Sequence, residues 1–68
     1  MRVDLYEQAN VSGGFRFAGR APLADFLGCF RMELSDRQAD AIVSDLYTTR
    51  SYVGHTVHGR AFVLEVAP

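Results

Sequence analysis

The stretch that decides the fold is residues 34–48, LSDRQADAIVSDLYT. The hydroxyl of Ser35 can accept a backbone N–H of the first helical turn, and Gln38 three residues later completes a capping box. Apolar residues follow at the spacing of a core-facing helical stripe, namely Ala39, Ile42, Val43, Leu46 and Tyr47. The stretch predicts one amphipathic helix.

The opposite side of this helix is polar and includes Asp40 and Asp45. Solvation explains such a side in an ordinary surface helix, and an acidic docking edge is the functional alternative. Asp36 and Asp40 also share a side, but general acid–base catalysis needs a cleft that raises one carboxyl pKa, and a short chain has little room for one. We therefore keep Asp40 and Asp45 only as a second choice of partner-binding edge.

Two stretches before the helix alternate with the period of a β-strand, residues 2–8 and 15–20. Residues 9–14 between them form a turn cluster that contains two glycines. The sequence thus predicts a hairpin. In this prediction the core-facing residues are Val3, Leu5, Phe15 and Phe17, and the outward-facing residues include Tyr6, Arg16 and Arg20.

A short second helix is predicted over residues 22–30. Pro22 suits the first position of a helix. Apolar residues then recur at helical spacing, at Leu23, Phe26, Leu27 and Phe30. Residues 31–34 link this helix to the main one.

The segment after Arg50 returns to a β pattern, with strands predicted at residues 51–57 and 60–66 and a two-residue turn at His58-Gly59. That turn places His55 opposite Phe62 and Val53 opposite Leu64. Val53 and His55 then face the core, and Tyr52 faces away from it.

The predicted order is ββααββ in a single domain. Such an α+β chain is expected to form one mostly antiparallel four-stranded sheet with both helices on one face. The strand order does not follow from the sequence. The predicted core consists of Val3, Leu5, Phe15, Phe17, Leu23, Phe26, Leu27, Phe30, Ile42, Val43, Leu46, Phe62, Leu64 and Val66.

Length and charge exclude several classes of protein. The 68 residues suffice for a core that buries only roughly 60% of the unfolded surface, which favours association with a partner. The net charge of −1 gives no basis for binding nucleic acid or an anionic membrane. No apolar run is long enough to span a bilayer, and the amino terminus does not resemble a signal peptide. With one cysteine, we expect a cytoplasmic protein.

The residues capable of metal or nucleophilic chemistry are His55, His58 and Cys29. The two histidines are three apart in a strand or turn, and their spacing does not match a closed zinc site. Cys29 lies in an apolar helix, which favours a buried structural thiol over a nucleophile. We therefore expect no metal, no cofactor and no catalytic site. A shared enzyme site that uses His55 or Cys29 is a remaining alternative.

The outward face of the sheet is the main candidate for binding. It is predicted to carry Tyr6, Arg16, Arg20 and Tyr52, and tyrosine and arginine are enriched at interfaces. We expect a small non-enzymatic interaction module, an inhibitor or adaptor that binds a larger protein or itself. Phage proteins that block host defences are of this size, an analogy from size alone. The alternative is a single-stranded nucleic-acid platform, in which the tyrosines stack on bases and the arginines hold phosphates.

Overall fold

The computed structural model describes residues 1–9, 13–30 and 33–68. Its strands are β1 (Arg2–Gln8), β2 (Phe15–Pro22), β3 (Ser51–His55) and β4 (Ala61–Val66), and its helices are α1 (Leu23–Phe30) and α2 (Asp36–Thr48). The strands form one antiparallel sheet in the order β2-β1-β4-β3. The predicted α+β fold and ββααββ order are confirmed. The predicted turn at residues 9–14 and link at 31–34 lie partly outside the described residues.

Helix α2 begins as its sequence predicts. The Ser35 hydroxyl accepts a hydrogen bond from the Gln38 backbone N–H at 3.1 Å, which satisfies a donor that the first turn leaves unpaired. The Gln38 side chain, the other half of the predicted capping box, donates through Nε2 to the His55 carbonyl at 2.6 Å. Gln38 therefore ties α2 to β3.

Helix α1 begins at Leu23 and not at the predicted Pro22. Pro22 is the last residue of β2, where it pairs with Arg2, an acceptable place for proline because β2 is an edge strand. The chain passes from strand to helix without a loop, and the Leu23 N–H donates to the Met1 carbonyl at 2.8 Å.

One apolar layer lies between the helices and the inner face of the sheet. Its buried residues are Val3, Leu5, Leu23, Ile42, Leu46, Phe62 and Leu64. Phe62 stacks on Phe30 with ring centroids 5.9 Å apart and contacts Tyr52 at 5.8 Å. Most of the predicted core is therefore correct, and both helices contribute to it.

Phe15 and Phe17 are the exceptions, because they lie on the outer face. Leu5 pairs with Gly19 and the next residue, Tyr6, pairs with Phe17, so that Ala18 is an extra residue in a β-bulge. Partners in an antiparallel pair share a face, and a shift of one residue moves side chains to the other face. The bulge thus places Phe17 beside Tyr6, and the prediction that both phenylalanines face the core is wrong.

Strand β3 also presents the opposite face from the one predicted. The Gly59 N–H donates to the Thr56 carbonyl and the Thr56 N–H to the Arg60 carbonyl, both at 2.9 Å, and Gly59 has a φ of 85°. A turn closed by a left-handed glycine makes a three-residue loop, one residue longer than predicted.

The longer loop changes the register of the hairpin by one residue. Val53 now pairs with Val63, and Tyr52 pairs with Leu64. Tyr52 consequently faces the core, while Val53 and His55 face outward. Gly54 makes room for Tyr52, since a Cβ at Gly54 would lie 2.7 Å from the tyrosine ring.

Two phenylalanine truncations test this assignment of faces. Phe62→Ala should lower the free energy of unfolding by about 3–5 kcal/mol, because it empties a fully buried site. Phe17→Ala should lower it by only about 1 kcal/mol, because Phe17 is 57% exposed and loses mainly its edge-to-face contact with Tyr6. Urea denaturation of both variants measures the difference. Equal losses would contradict the register of β2.

Candidate functional site

A row of apolar side chains, exposed at both ends and half-buried in the middle, crosses all four strands of the outer face. Phe17 pairs with Tyr6, Tyr6 with Val63, and Val63 with Val53; we call these four residues the aromatic–valine row. The rings of Tyr6 and Phe17 meet edge to face, with centroids 5.7 Å apart. Phe17 is 57% exposed and Val53 66%. Contiguous apolar surface of this kind marks interaction sites on small proteins.

A second row on the same face is polar. It consists of Arg20, Asp4, Glu65 and Ser51, one from each strand, and we call it the charged row. Arg20 Nε donates to Asp4 Oδ1 at 2.6 Å and Nη2 to Oδ2 at 3.1 Å. The Asp4 side chain is 8% exposed and that of Arg20 45%, so the guanidinium covers the carboxylate and faces solvent.

The Arg20 guanidinium also fixes the charge of Asp4. Its hydrogen bonds hold the pKa of the Asp4 carboxyl below the ordinary value of 3.8, against the opposing effect of burial. Asp4 in turn raises the pKa of Arg20. Within the described residues this is the one ion pair, and Glu65 takes part in none.

The two ends of the β3 edge are covered by side chains from α2 and its C-cap. Arg50 and Thr56 bond to the β4 side through their backbone, so alternation directs the backbone groups of Ser51 and His55 away from β4. Gln38 donates to the His55 carbonyl at 2.6 Å. The Thr49 hydroxyl lies 3.0 Å from two backbone carbonyls to which it can donate, those of Ser51 and Asp45.

The other edge, β2, is protected differently. It carries the bulge at Ala18 and ends at Pro22, which has no N–H to donate. Both features oppose the addition of another strand. The outer face of the sheet is the face that no helix of the described residues covers.

The six predicted partner-binding residues do not lie together. Tyr6 and Arg20 share the outer face, as predicted. Tyr52 packs against the core, and its predicted outward position is wrong. Arg16 pairs with Glu7, which places it on the helix side of the sheet, although it is exposed there.

Asp40 and Asp45 belong to α2 and lie in the helical layer, away from the outer face. The sequence analysis missed the exposed apolar residues Phe15, Phe17 and Val53. The glycine of the β3–β4 turn is the one signal that could have placed Val53 correctly, because a left-handed Gly59 also fits a three-residue loop.

The residues considered for metal or nucleophilic chemistry lie apart. His55 is on the outer face of β3, and His58 is in the turn before β4. Cys29 is exposed and not buried as predicted, because it lies beside the apolar stripe of α1. The described residues contain no group of three or more potential metal ligands and enclose no cavity. Neither described helix is long and apolar enough to cross a membrane.

The Asp4–Arg20 pair predicts a pH-dependent stability. A carboxyl with a lowered folded-state pKa contributes stability above its unfolded pKa and loses it as the pH falls through the folded pKa. Asp4→Asn should therefore unfold more easily than the wild type at neutral pH, and the two should converge below pH 3.8. Urea titrations at descending pH measure this. The free energy of unfolding of Arg20→Gln should approach that of the wild type over the same pH range. A difference in unfolding free energy that does not change with pH would contradict the stabilising role of the Asp4–Arg20 pair.

Comparisons of the chain with protein-family models, with curated proteins and with solved structures give no match.

Proposed function

We propose that this protein is a small non-enzymatic interaction domain that binds another protein surface through its outer sheet face. The aromatic–valine row is the observation that carries the proposal. It is apolar, it continues across every strand, and the single apolar layer of the fold does not use it. Inhibitors and adaptors of this size act by such contacts, and the exposed thiol of Cys29 suits a reducing cytoplasm.

The side chains of the row can supply useful binding energy. A buried aromatic side chain removes on the order of 150–250 Å² from water. With Phe17 57% exposed, a partner that covers it removes roughly 100 Å², or about 2.5 kcal/mol at the usual coefficient. Tyr6 lies beside it near the middle of the face, where residues that dominate binding are generally found.

The Asp4–Arg20 pair favours a defined orientation of the partner. Both nitrogens of Arg20 that face Asp4 are already bonded, so the guanidinium is held in place before binding. A side chain fixed in advance loses little conformational entropy in a complex. The pair thus adds a charged contact of fixed position beside the apolar row.

The nucleic-acid alternative has less support. It combined Tyr6 with Tyr52, and these residues lie on opposite faces of the sheet. Arg20 is already paired with Asp4, and the net charge is −1, whereas strand binding draws on a basic groove. We therefore favour a protein partner.

Photo-crosslinking tests the proposal. Phe17→benzoylphenylalanine keeps an aromatic ring in the row and should form a covalent protein adduct when host cells that express the variant are irradiated. The matched control is Val57→benzoylphenylalanine. Val57 is 62% exposed, and its N–H donates to the Glu33 carbonyl at 2.8 Å, which places it near the helices.

If the proposal is correct, the benzoylphenylalanine at position 17 forms an adduct that the one at position 57 does not form. Adding Tyr6→Asp to the position-17 probe should abolish that adduct, because a charge enters the middle of the row, while circular dichroism stays unchanged. Identical adducts from both positions, or none from position 17, would contradict the proposal.

A further inference from the structure

We infer that the outer face binds a second copy of this chain, sheet against sheet, about a two-fold axis that runs parallel to the strands between β1 and β4. This inference rests on the proposed function and names the partner. Two observations support it, the sizes of the side chains across the face and the placement of its charges, and the area of the face gives the expected strength.

Side-chain size divides the face into two halves. The half formed by β2 and β1 carries large residues in the aromatic–valine row, Phe17 and Tyr6, whereas the half formed by β4 and β3 carries Val63 and Val53. The two ends of the charged row differ in size in the same way: the long Arg20 lies on β2 and the short Ser51 on β3.

A two-fold axis parallel to the strands uses this division. It places β2 of each copy on β3 of the other and β1 on β4, so that Phe17 meets Val53 and Tyr6 meets Val63. A two-fold axis that crosses the strands along the row would instead place each residue on its own copy, Phe17 on Phe17 and Val53 on Val53. Close packing requires large residues to meet small ones, which selects the first axis and makes the interface self-complementary.

The charges agree with the same arrangement. In it, the charged rows of the two copies lie over each other, and β1 of one copy faces β4 of the other. Asp4 then lies over Glu65 of the second copy and Arg20 over its Ser51, and the Arg20 guanidinium, which bonds to Asp4 and stays 45% exposed, lies next to that Glu65. Glu65, which has no ion pair within the described residues, thereby gains a cationic neighbour, once in each direction.

The area of the face sets the strength of the dimer. Four strands span about 19 Å and the seven residues of β1 about 24 Å, which gives roughly 450 Å² per copy. This is about a tenth of the accessible surface of 4537 Å². The total of roughly 900 Å² is below the 1,600 Å² of a standard stable complex, so the dimer is expected to be reversible and to dissociate on dilution.

Sedimentation velocity of the purified protein over micromolar to millimolar concentrations tests this association. The wild type should shift from monomer to dimer, Phe17→Asp should raise the dissociation constant at least about tenfold, and Val57→Asp should leave it unchanged. A wild type that stays monomeric at every concentration, or an equal loss from Val57→Asp, would overturn the inference.

A size exchange tests the axis. Phe17→Val and Val53→Phe should each weaken the dimer, by leaving a gap and by opposing two large rings, respectively. The double variant restores a large residue against a small one and should recover most of the affinity. Both positions are exposed, so urea denaturation should show all variants folded. Failure of the double variant to recover would overturn the proposed axis.

The experiments distinguish a failure of the proposed dimer from a failure of the proposed interaction domain. A position-17 adduct with the mass of another protein, together with a monomeric wild type, overturns the second copy and retains the interaction domain. An adduct with twice the mass of the chain supports both. Absence of any adduct together with a monomeric wild type overturns both.

Discussion

A single apolar layer holds this fold, and the rest of the structure depends on which side-chain face of each strand enters it. Ile42 and Leu46 of α2 are fully buried against Phe62 and Leu64 of β4. Both helices pack on this one face of the sheet. None of the elements in the described residues covers the other face of the sheet.

The elements were predictable from the sequence, but the faces of two strands were not. The α2 stripe and the β1 alternation each have one assignment that buries apolar residues. In β2 alternation groups the two phenylalanines on one face and predicts that this face is inside. In β3 Tyr52 and Val53 lie on opposite faces, and alternation alone does not say which of them is inside. The extra residue at Ala18 and the left-handed Gly59 decide it. Because much of the outer face lies on these two strands, three of its apolar residues were predicted to face the core: Phe15, Phe17 and Val53.

The outer face combines features that are usually found apart. Its aromatic and valine side chains lie in water at a cost that a small core can hardly offset, while Asp4 and Arg20 are ordered as if in an interior. A surface both apolar and pre-ordered resembles one side of an interface more than the wall of an ordinary monomer. Covering it would complete a second apolar layer, and folding and association would then stabilise each other.

The closed edge of β3 limits how large an assembly can become. Open strand edges propagate, since each added chain exposes a new edge, and fibres grow in this way. Gln38 and Thr49 occupy the outward carbonyls at both ends of β3, and each chain has only one uncovered sheet face. Joining two such faces leaves none for a third chain. If the proposed pairing is correct, association stops at two copies, and we expect crowding of this protein to yield pairs and not filaments.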